Sequence, residues 1–216
     1  PINSVPASGS GWGDNVFVDP EQPSNEGINF GKFMVDEQGL ETLDLELVAG
    51  RNLEPEDMVR FSLDDNENPQ VMLVSQAMAD ALYPDGDALG KTVFDEPGGK
   101  NPIRIVGIYD HMQKAWPESY TVDQTALQPI YGLFGGAMYV LRAEPGQLSR
   151  VMAEAEDYLS QNRSRVIDRA RTFAEQKQRT YSGDIAMVKL LTAVIVVLGI
   201  RIFTNAAAVR RLLLGA

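Results

Sequence analysis

The 216-residue sequence has no cysteine, one histidine, and no uninterrupted apolar run of the roughly 20 residues that a membrane-crossing helix needs. Without cysteine, disulfide scaffolds and thiolate metal sites are excluded, and the compartment is left open. With His111 alone, a histidine-based triad or a multi-histidine metal centre would need a second chain. Cationic surface is also scarce. Residues 201–216 hold three arginines and no acid, so residues 1–200 carry −14 of the net −11. Such a surface repels nucleic-acid phosphates, and the local group Arg163, Arg165, Arg169 and Arg171 does not reverse it; nucleic acid is not an expected partner.

What is present is an ordinary globular composition followed by an apolar segment. Leu190 to Ile200 is continuously apolar but meets Arg201, and widening it to Ile185–Val209 encloses Lys189 and Arg201. An arginine at mid-membrane costs about 2.5–3.5 kcal/mol, so residues 185–216 read as a truncated or altered membrane helix, and the basic residues on its two sides do not settle its orientation. The alternative at this level is a buried or partner-packed helix end. Pro1 follows neither an initiating methionine nor a secretory leader, so further chain is expected upstream.

Along the chain, Ser8–Gly13 reads as a flexible loop, and Val16–Val18 and Asn29–Val35 as strands. Asp36 is placed to cap a short helix through Leu43, and Asp44–Val48 alternates as a half-buried strand. Val71–Val74 suits a strand covered on both faces; Ser75 then caps a helix from Gln76 to Tyr83 that Pro84–Gly86 stops. Strands at Lys91–Phe94 and Ile103–Ile108 flank the turn Glu96–Gly99. Beyond Trp116–Pro117 a loop rich in turn formers and aromatics leads to a strand at Ala137–Leu141. A helix opened by Pro145–Gly146 gathers Leu148, Val151, Met152, Ala155 and Leu159 on one face. Val166–Ala170 is strand-like, and Thr172–Tyr181 is polar and helical.

Several patterns suggest chemistry and stop short of it. Residues 86–92 (GDALGKT) have the end of a phosphate-binding loop, but Asp85 stands where its first glycine is needed, and the segment follows a helix and leads into a strand; it reads as a chain-reversing turn. The acids Asp64, Asp65 and Glu67, with Glu54, Glu56 and Asp57 upstream, lack the glycine and terminal glutamate of a calcium loop. Ser8 and Ser10 lie among glycines without the spacing of a nucleophile elbow. No catalytic residue, metal ligand or cofactor is assigned. Trp12, Trp116, Tyr131 and Phe134 sit in glycine-rich surroundings and read either as core filling or as an apolar surface for a partner or a passing substrate.

An ordered set of fragments carries a resemblance: residues 8–12 (SGSGW), 47–51 (LVAGR), 71–91 (VMLVSQAMADALYPDGDALGK), 105–108 (IVGI) and 210–216 (RRLLLGA). Together they resemble the MacB-type periplasmic core domain of FtsX-like ABC-transporter permeases. The resemblance implies an α+β, two-lobed extracytoplasmic domain. Residues 1–50 and 113–184 would form the membrane-proximal lobe, 51–112 a smaller inserted α/β lobe, and 185–216 the C-terminal helix. It implies a non-catalytic part of a permease in the bacterial inner membrane, facing the periplasm or the outside, that passes ATPase-driven movement to a substrate being exported or extracted. The implied partners are an ABC ATPase subunit or domain, a second permease copy, a periplasmic adaptor and the membrane, with Arg210 and Arg211 in the ATPase-coupling tail. Two other classes remain open: a non-transporting FtsX-like scaffold controlling an envelope enzyme, and a secreted enzyme using carboxylates.

Overall fold

The computed structural model describes residues 1–216 except 20–26, 62–67, 133–135, 162–165 and 215–216, and gives backbone only for 202–214. The chain divides into two compact units, Pro1–Ala170 and Arg171–Ala216.

In the first unit, β1 (Trp12–Val16) and β2 (Ile28–Val35) form an antiparallel pair, with Trp12 opposite Lys32 and Gly13 opposite Gly31. A single helical turn, α1 (Gly39–Thr42), leads to β3 (Leu47–Gly50), a 3-10 turn at Pro55–Asp57 and β4 (Val59–Phe61). There follow β5 (Val71–Ser75), α2 (Gln76–Leu82), β6 (Thr92–Glu96), β7 (Lys100–Tyr109) and β8 (Thr125–Gly132). The strands make one eight-stranded mixed sheet of order β1-β2-β8-β5-β7-β3, with β4 beside β8 and β6 beside β7. Residues 51–112 supply β4 to β7 and the flanks supply the rest, so both stretches share this sheet. A backbone bridge between Phe17 and Phe94 (2.8 and 2.9 Å) joins the end of β1 to β6.

Each face of the sheet is buried. On one, Val16, Phe30, Met72, Val74, Ile103, Ile105 and Ala126 pack with Met78, Ala79 and Leu82 of α2. On the other, Phe33, Val35, Leu73, Tyr109 and Leu127 pack with Leu40 of α1 and Leu53. Burial of both faces explains why Val71–Ser75 is a continuous apolar run rather than an alternating one. The same condition hides β8. Thr125–Ile130 is wholly buried between β2 and β5, yet its Gln128 and Pro129 carry no alternation and read as loop.

Two expected strands are not found. Ala137–Leu141 is not a strand: only Met138 bridges, through its carbonyl, to the Ile2 amide. Val166–Ala170 is irregular and mostly exposed. The helix after Pro145–Gly146, α3 (Leu148–Ser160), does form, but none of its residues is buried and Leu148 is 45% exposed. Its periodicity was sufficient for a helix without supplying the neighbour that would cover it.

The second unit holds α4 (Phe173–Thr180) and α5 (Ser182–Leu214). The apolar stretch therefore belongs to one continuous 33-residue helix, about 50 Å long at 1.5 Å per residue. Its Ser182–Arg201 portion is long and apolar enough to cross a membrane, and none of it is buried. The class is α+β with a C-terminal helix, as expected.

Candidate functional site

Two of the sequence fragments singled out above, 47–51 and 105–108, meet in the fold. β7 pairs with β5 through Ile105 and then Gly107, skipping Val106, a bulge that flips the strand's inside–outside alternation. At that bulge the Arg51 amide donates to the Val106 carbonyl (2.9 Å), drawing the end of β3 across β7. The crossing is so close that a Cβ on Gly107 would collide with the Arg51 carbonyl oxygen and lie 2.7 Å from Leu73 Cδ2. Gly50, at φ +83°, would similarly strike the Val106 carbonyl. Arg51 then turns back to grip Asp57 with two hydrogen bonds (Nη1–Oδ2 2.6 Å, Nη2–Oδ1 2.9 Å), and Asp57 also accepts the Glu54 amide. The guanidinium hydrogen bonds hold the Asp57 carboxyl below its ordinary 3.8, against the opposing effect of burial.

The 71–91 fragment is organised by one hydroxyl. Ser75 Oγ caps α2 by accepting the Met78 amide (3.2 Å), accepts the Thr125 amide (3.1 Å) and donates to the Asp123 carbonyl (2.6 Å). Tyr109 OH donates to Thr125 Oγ1 (2.7 Å), which donates in turn to the Met112 carbonyl (3.1 Å). Burial pushes the Tyr109 phenol well up. These bonds fasten both ends of the segment between β7 and β8. Residues 86–92 form the turn read from the sequence: Gly86 and Gly90 have φ +87° and +80°, and Lys91 pairs with Asp87 (3.2 Å).

Between its fastened ends the segment lies on a smooth floor of glycines from the β1–β2 hairpin. The Ala115 Cβ and the stem of Lys114 occupy the space that Cβ atoms on Gly11 and Gly31 would need, and the Trp116 ring sits over Gly13 (3.4 Å). Lys114 is 1% exposed, has no carboxylate partner among the described residues, and gives its three protons to Asn29 O (3.2 Å), Asn29 Oδ1 (2.7 Å) and Thr121 Oγ1 (2.6 Å). Desolvation lowers its pKa below the ordinary 10.5. Neither the glycine floor nor the buried lysine was read from the sequence; the clue available was the recurrence of glycine at 11, 13 and 31.

Of the four aromatic residues named from the sequence, the three that are described are not brought together. Gly13 faces Trp116, so its strand neighbour Trp12, 44% exposed, points to the opposite face of the hairpin, where Lys32 and Asp14 form an ion pair (3.1 Å). Trp116 is half-buried. Tyr131 is near the other end of β8, its hydroxyl donating to Glu37 Oε2 (3.3 Å). Phe134 lies outside the described residues, as do Asp64, Asp65 and Glu67. Arg210 and Arg211 are in the last turns of α5. His111 is exposed, its Nδ1 3.5 Å from Asp123 Oδ1. Ser8 Oγ donates to the Ser10 carbonyl (2.7 Å). Among the described residues no three histidines or carboxylates gather as metal ligands.

A family model described as the MacB-like periplasmic core domain matches residues 5–168, and one described as a protein of unknown function (DUF1290) matches residues 177–214. No curated protein matches the chain. Among solved structures, the periplasmic region of MacB from Actinobacillus actinomycetemcomitans is 17% identical with a TM-score of 0.42, covering 70% of this chain and 64% of that one. The extracellular domain of the ABC-type transporter YknZ from Gram-positive bacteria is 17% identical with a TM-score of 0.43, covering 74% of this chain and 80% of that one. The chain thus spans a little under two thirds of the MacB region's length. With the family model running from ahead of the glycine floor to beyond α3, through the Gly50–Gly107 crossing and the Ser75 cap, the chain belongs to the MacB-like periplasmic core domain family.

Proposed function

We propose that the chain is the extracytoplasmic, non-catalytic part of a bacterial inner-membrane permease that passes ATPase-driven movement outward to export or extract a substrate. The observation that carries the reading is α5: a domain of the periplasmic core family is followed by one continuous helix with a membrane-length apolar portion. In this reading residues 1–50 with 113–184 are the membrane-proximal lobe and 51–112 the inserted lobe. Because the two stretches share one sheet, displacement of the first is carried to the second through backbone hydrogen bonds. α5 spans the membrane and brings Arg210 and Arg211 to the cytoplasmic ATPase. A second permease copy and a periplasmic adaptor complete the assembly. Trp12, Trp116, Tyr131 and Phe134 serve as contact points for a partner or substrate. Each ATPase state must favour one arrangement of the permease for hydrolysis to do work.

The test uses the intact permease with its ATPase. A cysteine replacing Asp87 should react with an impermeant maleimide added outside the cell, and one replacing Ala216 should not. Replacing Arg210 and Arg211 by alanine should reduce ATPase co-purification and export while leaving the Asp87→Cys label accessible. Labelling of both cysteines from outside, or unimpaired ATPase binding in the double variant, would overturn the reading.

A further inference from the structure

Well inside its apolar portion, α5 carries a cation with no counter-ion on its own helix. Lys189 is exposed, and the residues three and four places from it on either side are Ile185, Ala186, Thr192 and Ala193, none of them an acid. The nearest acid along the helix, Asp184, is displaced from it by about 140° around the axis. Depth makes the missing partner matter. The Ser182–Arg201 portion is about 30 Å long, the thickness of a hydrocarbon core, and Lys189 stands two turns, about 10 Å, in from Ser182. That is further than its four-carbon stem reaches to bring the ammonium among headgroups. Asp184 and Arg201 differ, since each lies within a turn of one end of the portion. A lysine kept in hydrocarbon needs a carboxylate or water beside it.

The surrounding surface favours a helix that brings the carboxylate. Ser182, Ala186 and Ala193 share the side of Lys189 and are small, which lets another backbone approach; Met187, Leu191, Val194 and Leu198 lie on the opposite side and present bulk suited to lipid tails. The hydroxyls on the lysine side are already used within the chain. Ser182 Oγ donates to the Arg179 carbonyl (2.8 Å) and Thr192 Oγ1 to the Val188 carbonyl (2.7 Å), so the Lys189 ammonium is the polar group that this face offers a neighbour. A second copy of α5 does not fit, because a two-fold axis on this face would set Lys189 against Lys189. The charge calls for an acidic partner.

We propose that the Lys189 face of α5 packs against another membrane helix of the permease, one that carries an aspartate or glutamate at the depth of Lys189 and pairs with it in the hydrocarbon. This rests on α5 spanning the membrane. The test uses the intact permease with its ATPase, reconstituted in phospholipid vesicles. Lys189→Met separates the possibilities by sign: a lysine facing lipid is replaced at no loss, whereas a paired lysine leaves a buried carboxylate uncompensated. The yield of assembled permease should fall at least about tenfold in Lys189→Met and stay near wild type in Lys189→Arg. Changing the intramembrane acids to their amides one at a time should restore Lys189→Met at a single position, the partner. In the native-lysine background, a fluorophore at Leu191→Cys should be quenched by brominated lipid several-fold more than one at Ala193→Cys. A Lys189→Met yield at or above wild type overturns the proposal, as does equal lipid quenching at 191 and 193. So does a loss in Lys189→Arg as large as in Lys189→Met with no acid restoring either. Reaction of Lys189→Cys with a water-soluble maleimide overturns it in favour of a water-filled path. Quenching of the 191 label by aqueous iodide instead of brominated lipid sinks the span reading first.

Discussion

Replacing Ser75 by alanine removes one oxygen and three hydrogen bonds. The first caps α2, and loss of a serine cap costs about 1 kcal/mol. The second satisfies the Thr125 amide, in a residue with no exposed surface at the head of β8; leaving a buried donor unpaired costs about 1–3 kcal/mol. The third bonds the Asp123 carbonyl, which lies toward the exposed end of the segment where water can replace the hydroxyl, and adds little. The sum is about 3 kcal/mol, which for a unit of this size corresponds to a fall of roughly 6–12 °C in melting temperature. Unfolding followed by fluorescence of Trp12 and Trp116, both in the first unit, gives the readout in detergent-solubilised protein. Gln76→Ala is the matched control: it sits one residue along and loses only an exposed i, i+4 hydrogen bond to Asp80, worth about 0.2–0.5 kcal/mol. If Ser75→Ala costs no more than about 1 kcal/mol, the hydroxyl is a helix cap and not the joint between α2 and β8, and the reasoning fails.

Gly107→Ala should destabilise by at least about 2 kcal/mol, because the colliding atom is a backbone carbonyl that cannot rotate away. Gly136→Ala, where a Cβ meets nothing within 4 Å, should stay within about 0.5 kcal/mol by the same denaturation assay. The Arg51–Asp57 pair predicts an acid limb. Asp57 is held below its ordinary 3.8, so its contribution is fully present above that pH and disappears as pH falls through the lower folded-state value. The difference in urea midpoint between wild type and Arg51→Gln should accordingly be constant near neutrality and shrink below about pH 4; a difference unchanged down to pH 2.5 would show that the pair is not the cause.

The sequence was most readable where a single element's chemistry sufficed. Val71–Val74 lacked alternation because both its faces are covered, and Ser75 followed by the helical spacing of Ala77, Met78, Ala81 and Leu82 marked the strand-to-helix joint within a residue. It was least readable where identity depended on neighbours. β8 occupies the middle of the sheet, yet Gln128 and Pro129 remove the usual strand signals, and only pairing with β2 and β5 defines it. α3 had the clearest amphipathic pattern and turned out to be uncovered, since a pattern states which face seeks company and not whether the chain supplies it. The placement of the two tryptophans was hidden for a related reason. Trp12 and Trp116 are both near the glycine floor, but strand alternation sends one to each side of it.

The crossing of Gly50 over Gly107 ties together two stretches of chain separated by residues 52–104. A larger side chain at either position would force the backbone at the other to reroute, so neither can be changed alone. Libraries that shuffle segments of related domains would need to keep residues 47–51 and 105–108 from the same parent, however far apart their codons lie.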